Sequence, residues 1–173
     1  LTGTGAYTGG TYTASPAGLT IIAGTGAITP SSSTAGTYTV TYTTPASGGC
    51  AAVTATTSVT ITAVPVATFS YAGTPYCQTA ANPSPTFSGG GVAGTFSSTA
   101  GLVFVSTSTG QIDLAASTPG TYTVTNTIAA SGGCAQVTAT SSVTITAAPT
   151  ATISYAGNPF CITNNTNQTP TLT

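Results

Sequence analysis

Apolar and hydroxyl residues alternate along Ser33-Thr34-Ala35-Gly36-Thr37-Tyr38-Thr39-Val40-Thr41-Tyr42-Thr43. Tyr38, Val40 and Tyr42 fall on one face; Thr37, Thr39, Thr41 and Thr43 fall on the other. A period of two marks a half-buried strand, and β-branched threonine suits its pleated surface. The stretch returns as Ser117-Thr118-Pro119-Gly120-Thr121-Tyr122-Thr123-Val124-Thr125-Asn126-Thr127, with Gly120 lying 84 residues after Gly36. Each occurrence predicts a turn at glycine followed by a strand. Because the flanking sequence repeats as well, the chain is an array of similar units.

Ahead of that strand, Ala17-Gly18-Leu19-Thr20-Ile21-Ile22 with Thr25-Gly26-Ala27-Ile28 matches Ala100-Gly101-Leu102-Val103-Phe104-Val105 with Thr109-Gly110-Gln111-Ile112. Both predict two short strands joined by a glycine turn. Behind it come Ser47-Gly48-Gly49-Cys50 and Ser131-Gly132-Gly133-Cys134, then a closing strand. That strand alternates Val53, Ala55, Thr57, Val59, Ile61 in one repeat and Val137, Ala139, Ser141, Val143, Ile145 in the other.

Val64-Pro65-Val66 and Ala148-Pro149-Thr150 punctuate the array, and proline at such short seams predicts semi-rigid joints. After each seam an opening segment follows: Ala67-Thr68-Phe69-Ser70-Tyr71 with Tyr76-Cys77, and Ala151-Thr152-Ile153-Ser154-Tyr155 with Phe160-Cys161. The expected domains are therefore residues 1–66, a repeat lacking its first strand; 67–150, a complete repeat; and 151–173, the first-strand segment of a further repeat. Leu172-Thr173 has the same residues as Leu1-Thr2, so copies laid head to tail continue the pattern with a period of 171 residues. Two arrangements satisfy this. Either the sequence is a window on a longer tandem polypeptide, or residues 151–173 complete the next subunit by strand addition.

Charge changes the picture most. The 173 residues include no Lys, Arg or His, and Asp113 is the one acidic side chain. Nucleic-acid binding and electrostatic attachment to anionic membranes both draw on Lys and Arg, so neither is expected. No apolar run approaches the roughly 20 residues of a spanning helix, so membrane insertion is not expected. A Ser or Cys nucleophile has no histidine or lysine base to activate it, and glycoside hydrolysis needs two carboxylates. The chain reads as a non-enzyme with no cofactor and no metal. Asp113 reads as a solvated strand-end residue. The glycines at Gly3-Thr4-Gly5 and Gly89-Gly90-Gly91 precede neither helix nor lysine and read as turn glycines, not phosphate cradles.

The threonine faces carry an ice-binding reading, but β-propensity on a hydrated face explains them more simply. Tyr7, Tyr12, Tyr42 and Tyr71 could stack on sugars; core or corner positions are the simpler expectation. Asn164-Asn165-Thr166 and Asn167-Gln168-Thr169 match the N-glycosylation acceptor pattern.

The run Ala17-Gly18-Leu19, Thr25-Gly26-Ala27-Ile28, Ala35-Gly36-Thr37-Tyr38-Thr39-Val40 resembles the Ig-like repeats of bacterial surface proteins. With Tyr76-Cys77 and Gly133-Cys134 beside it, the pattern is similar to the cysteine-bearing repeats of very large secreted adhesins and filament proteins of Bacteroidota. The resemblance implies an all-β fold of tandem Ig-like β-sandwiches, head to tail, in an extracellular or cell-surface protein. The calcium sites of cadherin-like repeats need acidic residues at the seams, and this chain has none there.

Four cysteines complete the reading. Cys77 and Cys134, 57 residues apart, are expected to bridge within the complete repeat, at about 2–4 kcal/mol. Cys50 and Cys161 are expected to bridge between successive units. A four-cysteine zinc site lacks the usual C-x₂-C spacing, and four buried free thiols are the remaining option. The function expected is a structural repeat of an extracellular filament or adhesin stalk, with itself as partner. The alternative is a glycan- or surface-binding Ig-like module.

Overall fold

The computed structural model describes residues 9–164 and 166–172. Tyr7, the Gly3-Thr4-Gly5 cluster, Leu1-Thr2, Asn165 and Thr173 lie outside them. The chain is all-β and falls into two compact units: residues 1–66 with 129–137, and residues 67–128 with 138–173.

The first unit is built on a three-stranded antiparallel sheet. Strand β1 (Thr11–Ser15) pairs with β2 (Gly36–Thr44), which pairs with β3 (Val53–Ile61). Opposite residues include Tyr12 with Tyr42, and Val40 with Thr57. The alternation on β2 behaves as its sequence requires: Tyr38, Val40 and Tyr42 are buried, and Thr37 and Thr39 are exposed. The Thr37 and Thr60 hydroxyls meet across the outer face at 3.2 Å. Between β1 and β2, the two short strands expected around Gly26 reduce to one bridge between Ile21 and Ile28. A 3₁₀ turn at Pro30–Ser32 follows.

The second unit opens with β4 (Phe69–Ser70), β5 (Tyr76–Cys77) and β6 (Thr86–Phe87). Next come β7 (Thr95–Ser98), β8 (Val103–Ser106), β9 (Gln111–Asp113), β10 (Gly120–Ile128) and β11 (Val137–Thr146). A four-stranded sheet runs β5-β11-β10-β7, and β4-β6 and β8-β9 form two-stranded sheets. Phe69, Ile112 and Phe104 from the small sheets pack with Phe96, Tyr122, Val124, Val143 and Ile145 from the large one. Sheets meeting face to face over one apolar core make this unit a β-sandwich. Its centre is aromatic, with the Phe69 and Phe96 rings edge to face at 5.2 Å.

One corner recurs in both units. The hydroxyl of Tyr38 donates to the Thr34 carbonyl at 2.6 Å, and that of Tyr122 to the Thr118 carbonyl at 2.6 Å. The glycine beneath each ring is obligatory. Gly18 and Gly101 have φ of +121° and +105°, and a Cβ on either would stand 2.8 Å from the tyrosine oxygen.

The second unit ends with β12 (Ile153–Ser154) and β13 (Thr171–Leu172), which pair antiparallel. Ile153 faces Leu172 and Ser154 faces Thr171, as Phe69 faces Phe87 and Ser70 faces Thr86 in the β4–β6 pair. The β12–β13 pair thus repeats the β4–β6 pair of the opening segment.

Candidate strand-acceptor face and cysteine positions

In the second unit the opening segment closes the sandwich. Phe69 and Tyr71 are each 5 % exposed, and the Tyr71 hydroxyl donates to the Gly110 carbonyl. Burial pushes the Tyr71 phenol well above its ordinary pKa, with a smaller push from Tyr76 beside it. Tyr76 is raised by burial as well, and its hydroxyl donates to the Ala72 carbonyl. β5 lies parallel along the outer edge of β11, setting Tyr76 opposite Ile145 and Cys77 opposite Thr146. Side-chain bonds reinforce the pairing: Thr144 N donates to Thr74 Oγ1 at 2.9 Å, and Thr146 Oγ1 donates to the Tyr76 carbonyl at 3.2 Å. Beneath this cover Val143 and Ile145 are 0 % and 2 % exposed.

The first unit has the same closing strand without that cover. Among the described residues, β3 pairs only with β2, so its outer edge is open. Val53 is 66 % exposed, Ala55 and Thr57 are exposed, and Val59 and Ile61 are only half-buried. A cleft of about 180 Å³ opens between Tyr12, Val40, Tyr42 and residues 55–57. A second, of about 420 Å³, lies along Thr60, Ile61, Thr62 and Val64, bounded by Pro30, Ser31 and Gly132–Cys134. Residues 151–172 present the matching cover unburied: Ile153 is 62 % exposed, Tyr155 46 % and Phe160 40 %. Their counterparts in the second unit are Phe69, Tyr71 and Tyr76. These two surfaces are of the kinds that meet in the second unit, where Phe69, Tyr71 and Tyr76 pack with the core and β5 pairs with β11.

All four cysteines are free thiols. Strand register sets Cys77 and Cys134, the pair expected to bridge within a repeat, at opposite ends of β11. Cys77 pairs with Thr146, at the C-terminal end of β11, whereas Cys134 precedes the strand's N-terminal end at Val137. Ten residues of strand span about 30 Å, and bridged cysteines need Cα atoms within about 7 Å. Cys134 instead sits on the turn closed by the Ser131–Cys134 bridge, its Sγ 3.8 Å from the Thr62 carbonyl oxygen and 3.7 Å from that of Ala63. Cys50 and Cys161 are exposed. Cys77 Sγ lies 3.2 Å from Thr79 Oγ1, and that hydroxyl, with the Thr79 backbone, lowers the thiol pKa. Cys161 is lowered in the same way by Thr163, 3.0 Å away.

The other singled-out residues divide. Tyr42 and Tyr71 are buried, and Tyr12 stacks on Tyr42 at 4.6 Å. Asp113 ends β9 half-buried, its carboxylate accepting the Ala116 N–H at 3.2 Å. Asn164 is exposed, its side-chain oxygen accepting from the Thr166 hydroxyl at 2.8 Å. No group of three or more possible metal ligands occurs among the described residues. No helix there is long and apolar enough to cross a membrane. The residue that sequence reasoning missed is Asn126. It is fully buried, donates to the Ala67 and Val92 carbonyls at 2.9 Å each, and accepts the Gly94 N–H at 2.8 Å. It ties the opening segment to β10. The available signal was a polar residue in the apolar register of β10, where the first repeat has Tyr42.

No protein-family model matches this chain, and no curated protein does. Among solved structures it is similar to a SusE-like, surface-located polysaccharide-binding protein from the heparin utilisation locus of Bacteroides thetaiotaomicron. The identity is 20 %, the TM-score 0.29, and the match covers 79 % of this chain and 29 % of that one. The chain therefore spans less than a third of that protein's length.

Proposed function

We propose that this chain is a structural repeat unit of an extracellular bacterial filament or adhesin stalk. Copies join head to tail when residues 151–172 of one cover the open face of the first unit of the next. The observation that carries the reading is a paired exposure: among the described residues β3 has no counterpart of the cover that β5 gives β11, and Ile153, Tyr155 and Phe160 are exposed where Phe69 and Tyr71 are buried. The three side chains are 40–62 % exposed, so burying what remains in water contributes about 2–4 kcal/mol before ordering costs. Strand addition along the β3 edge adds backbone hydrogen bonds. A chain almost without charge also leaves such joints nearly free of electrostatic repulsion.

The test is a chain ending at Thr150, compared with the full chain by light scattering and electron microscopy in reducing buffer. The full chain is expected to form linear assemblies and the truncated chain to remain monomeric. A separate peptide of residues 151–173 should bind the truncated chain and close its first unit. Assembly of the truncated chain to the same extent would overturn the reading. A glycan array with the same two proteins addresses the binding-module alternative, for which a stalk repeat should give no signal.

A further inference from the structure

We propose that the disulfides of this protein join successive repeats, linking the β5-type cysteine of one repeat (Cys77 or Cys161) to the turn cysteine of the repeat that follows (Cys50 or Cys134). The inference rests on the head-to-tail reading and assigns its covalent chemistry.

Two placements converge on one dipeptide. In the second unit Cys77 lies beside Thr146, and partners across a strand pair present their side chains on the same face. Thr146 corresponds to Thr62 in the first repeat, 84 residues earlier. An opening segment docked on β3 in the same register therefore brings its cysteine beside Thr62. The turn of the following repeat is already there. Cys134 Sγ is 3.8 Å from the Thr62 carbonyl, and a Cβ on Gly132 would stand 2.8 Å from Thr62 Oγ1. The turn thus covers the Thr62 side chain, on the face where the incoming cysteine points, and the cleft of about 420 Å³ between them is the space it enters.

Applied to two copies joined through residues 151–172, the rule pairs Cys77 of the leading copy with Cys50 of the following one. It likewise pairs Cys161 of the leading copy with Cys134 of the following one. No two cysteines of a single copy are partners. Bridge formation is thiol–disulfide exchange. The thiolate of Cys77 or Cys161 attacks a disulfide oxidant, such as oxidised glutathione, and releases one reduced thiol. The turn cysteine then displaces the second, so two protons and two electrons leave the protein as two thiols of the oxidant. The threonine hydroxyls beside Cys77 and Cys161 favour the attacking thiolate.

The experiment assembles the full chain in reducing buffer, exchanges it into oxidised glutathione, blocks residual thiols and digests without reduction. Thermolysin serves, since trypsin has no Lys or Arg to cut. Mass spectrometry should find Cys77 linked to Cys50 and Cys161 linked to Cys134. Linkage of Cys77 to Cys134, or of Cys161 to Cys50, overturns the assignment, as do four blocked thiols on assembled material. Failure to assemble in reducing buffer refutes the head-to-tail reading itself, before any oxidant is added. Electrophoresis before and after reduction checks that the links between copies are disulfides. A ladder that collapses to the 16.6 kDa chain is expected, and a species that stays large after reduction would mean a link other than a disulfide and would overturn the assignment.

Discussion

Replacing Asn126 with leucine tests how the second unit holds its opening segment. Leucine has the same branched, four-heavy-atom side chain as asparagine and is somewhat bulkier, so the change removes hydrogen bonding without opening a cavity. Three backbone groups lose their partner: the Ala67 and Val92 carbonyls and the Gly94 N–H. The bond to Ala67 is fully buried, and leaving such a group unsatisfied costs about 1–3 kcal/mol. The other two are partly buried and cost about 1 kcal/mol each. The sum, roughly 3–5 kcal/mol, is a large part of the ~4–13 kcal/mol that a repeat of this length typically has. With a urea slope near ~1 kcal/mol/M, the midpoint of the second unit should fall by about 3 M or more. Far-UV circular dichroism during a urea titration reads this. Thr123→Ala, at an exposed position of the same strand, should stay within about 0.5 kcal/mol. A loss below about 1 kcal/mol for Asn126→Leu would refute the reasoning, because the three segments would then be held by packing alone.

Two further outcomes follow from the same unit. The raised pKa of Tyr71 means its neutral form is favoured on folding. Its contribution is fully present below the ordinary tyrosine pKa near ~10 and is lost as pH rises beyond it, at about 1.4 kcal/mol per pH unit. Urea titrations from pH 9 to 11.5 should show a shallower fall for Tyr71→Phe than for the native chain, and parallel curves would count against this burial. Gly101→Ala places a methyl 2.8 Å from the Tyr122 oxygen at a φ of +105°, and should lower the thermal midpoint at a cost of about 2–3 kcal/mol. An unchanged midpoint would show that the tyrosine corner can open without cost.

The strand alternation was legible because it depends on local burial alone. Tyr38, Val40, Tyr122 and Val124 are buried where their register puts them, and the threonines between them line the outer face. The closing strands show where that reasoning stops. Val59 and Ile61 have the same pattern as Val143 and Ile145, yet differ in burial, because burial there depends on a partner segment that periodicity does not contain. The cysteine positions show a related limit. Sequence spacing relates Cys77 to Cys134 but is silent on which end of β11 the short strand β5 occupies, and only the register with Thr146 decides that. Asn126 was hidden by its neighbours. Set among threonines it reads as one more polar strand residue, although its position in the period belongs to the core.

The parallel pairing of β5 with β11 has a consequence for how the second unit bears load. Within the repeat 67–150, β5 stands near the N-terminal end and β11 near the C-terminal end. A pull on the two ends therefore draws these strands in opposite directions along their shared axis. The Gln78 N–H to Thr146 carbonyl bond at 3.0 Å, the Thr144 N–H to Thr74 Oγ1 bond and the Thr146 Oγ1 to Tyr76 carbonyl bond then bear the force in shear. They must yield together, whereas an antiparallel end pair would peel one bond at a time. Forced unfolding is governed by the rate of that first rupture, so two residues of strand set the tension a tether of such units withstands.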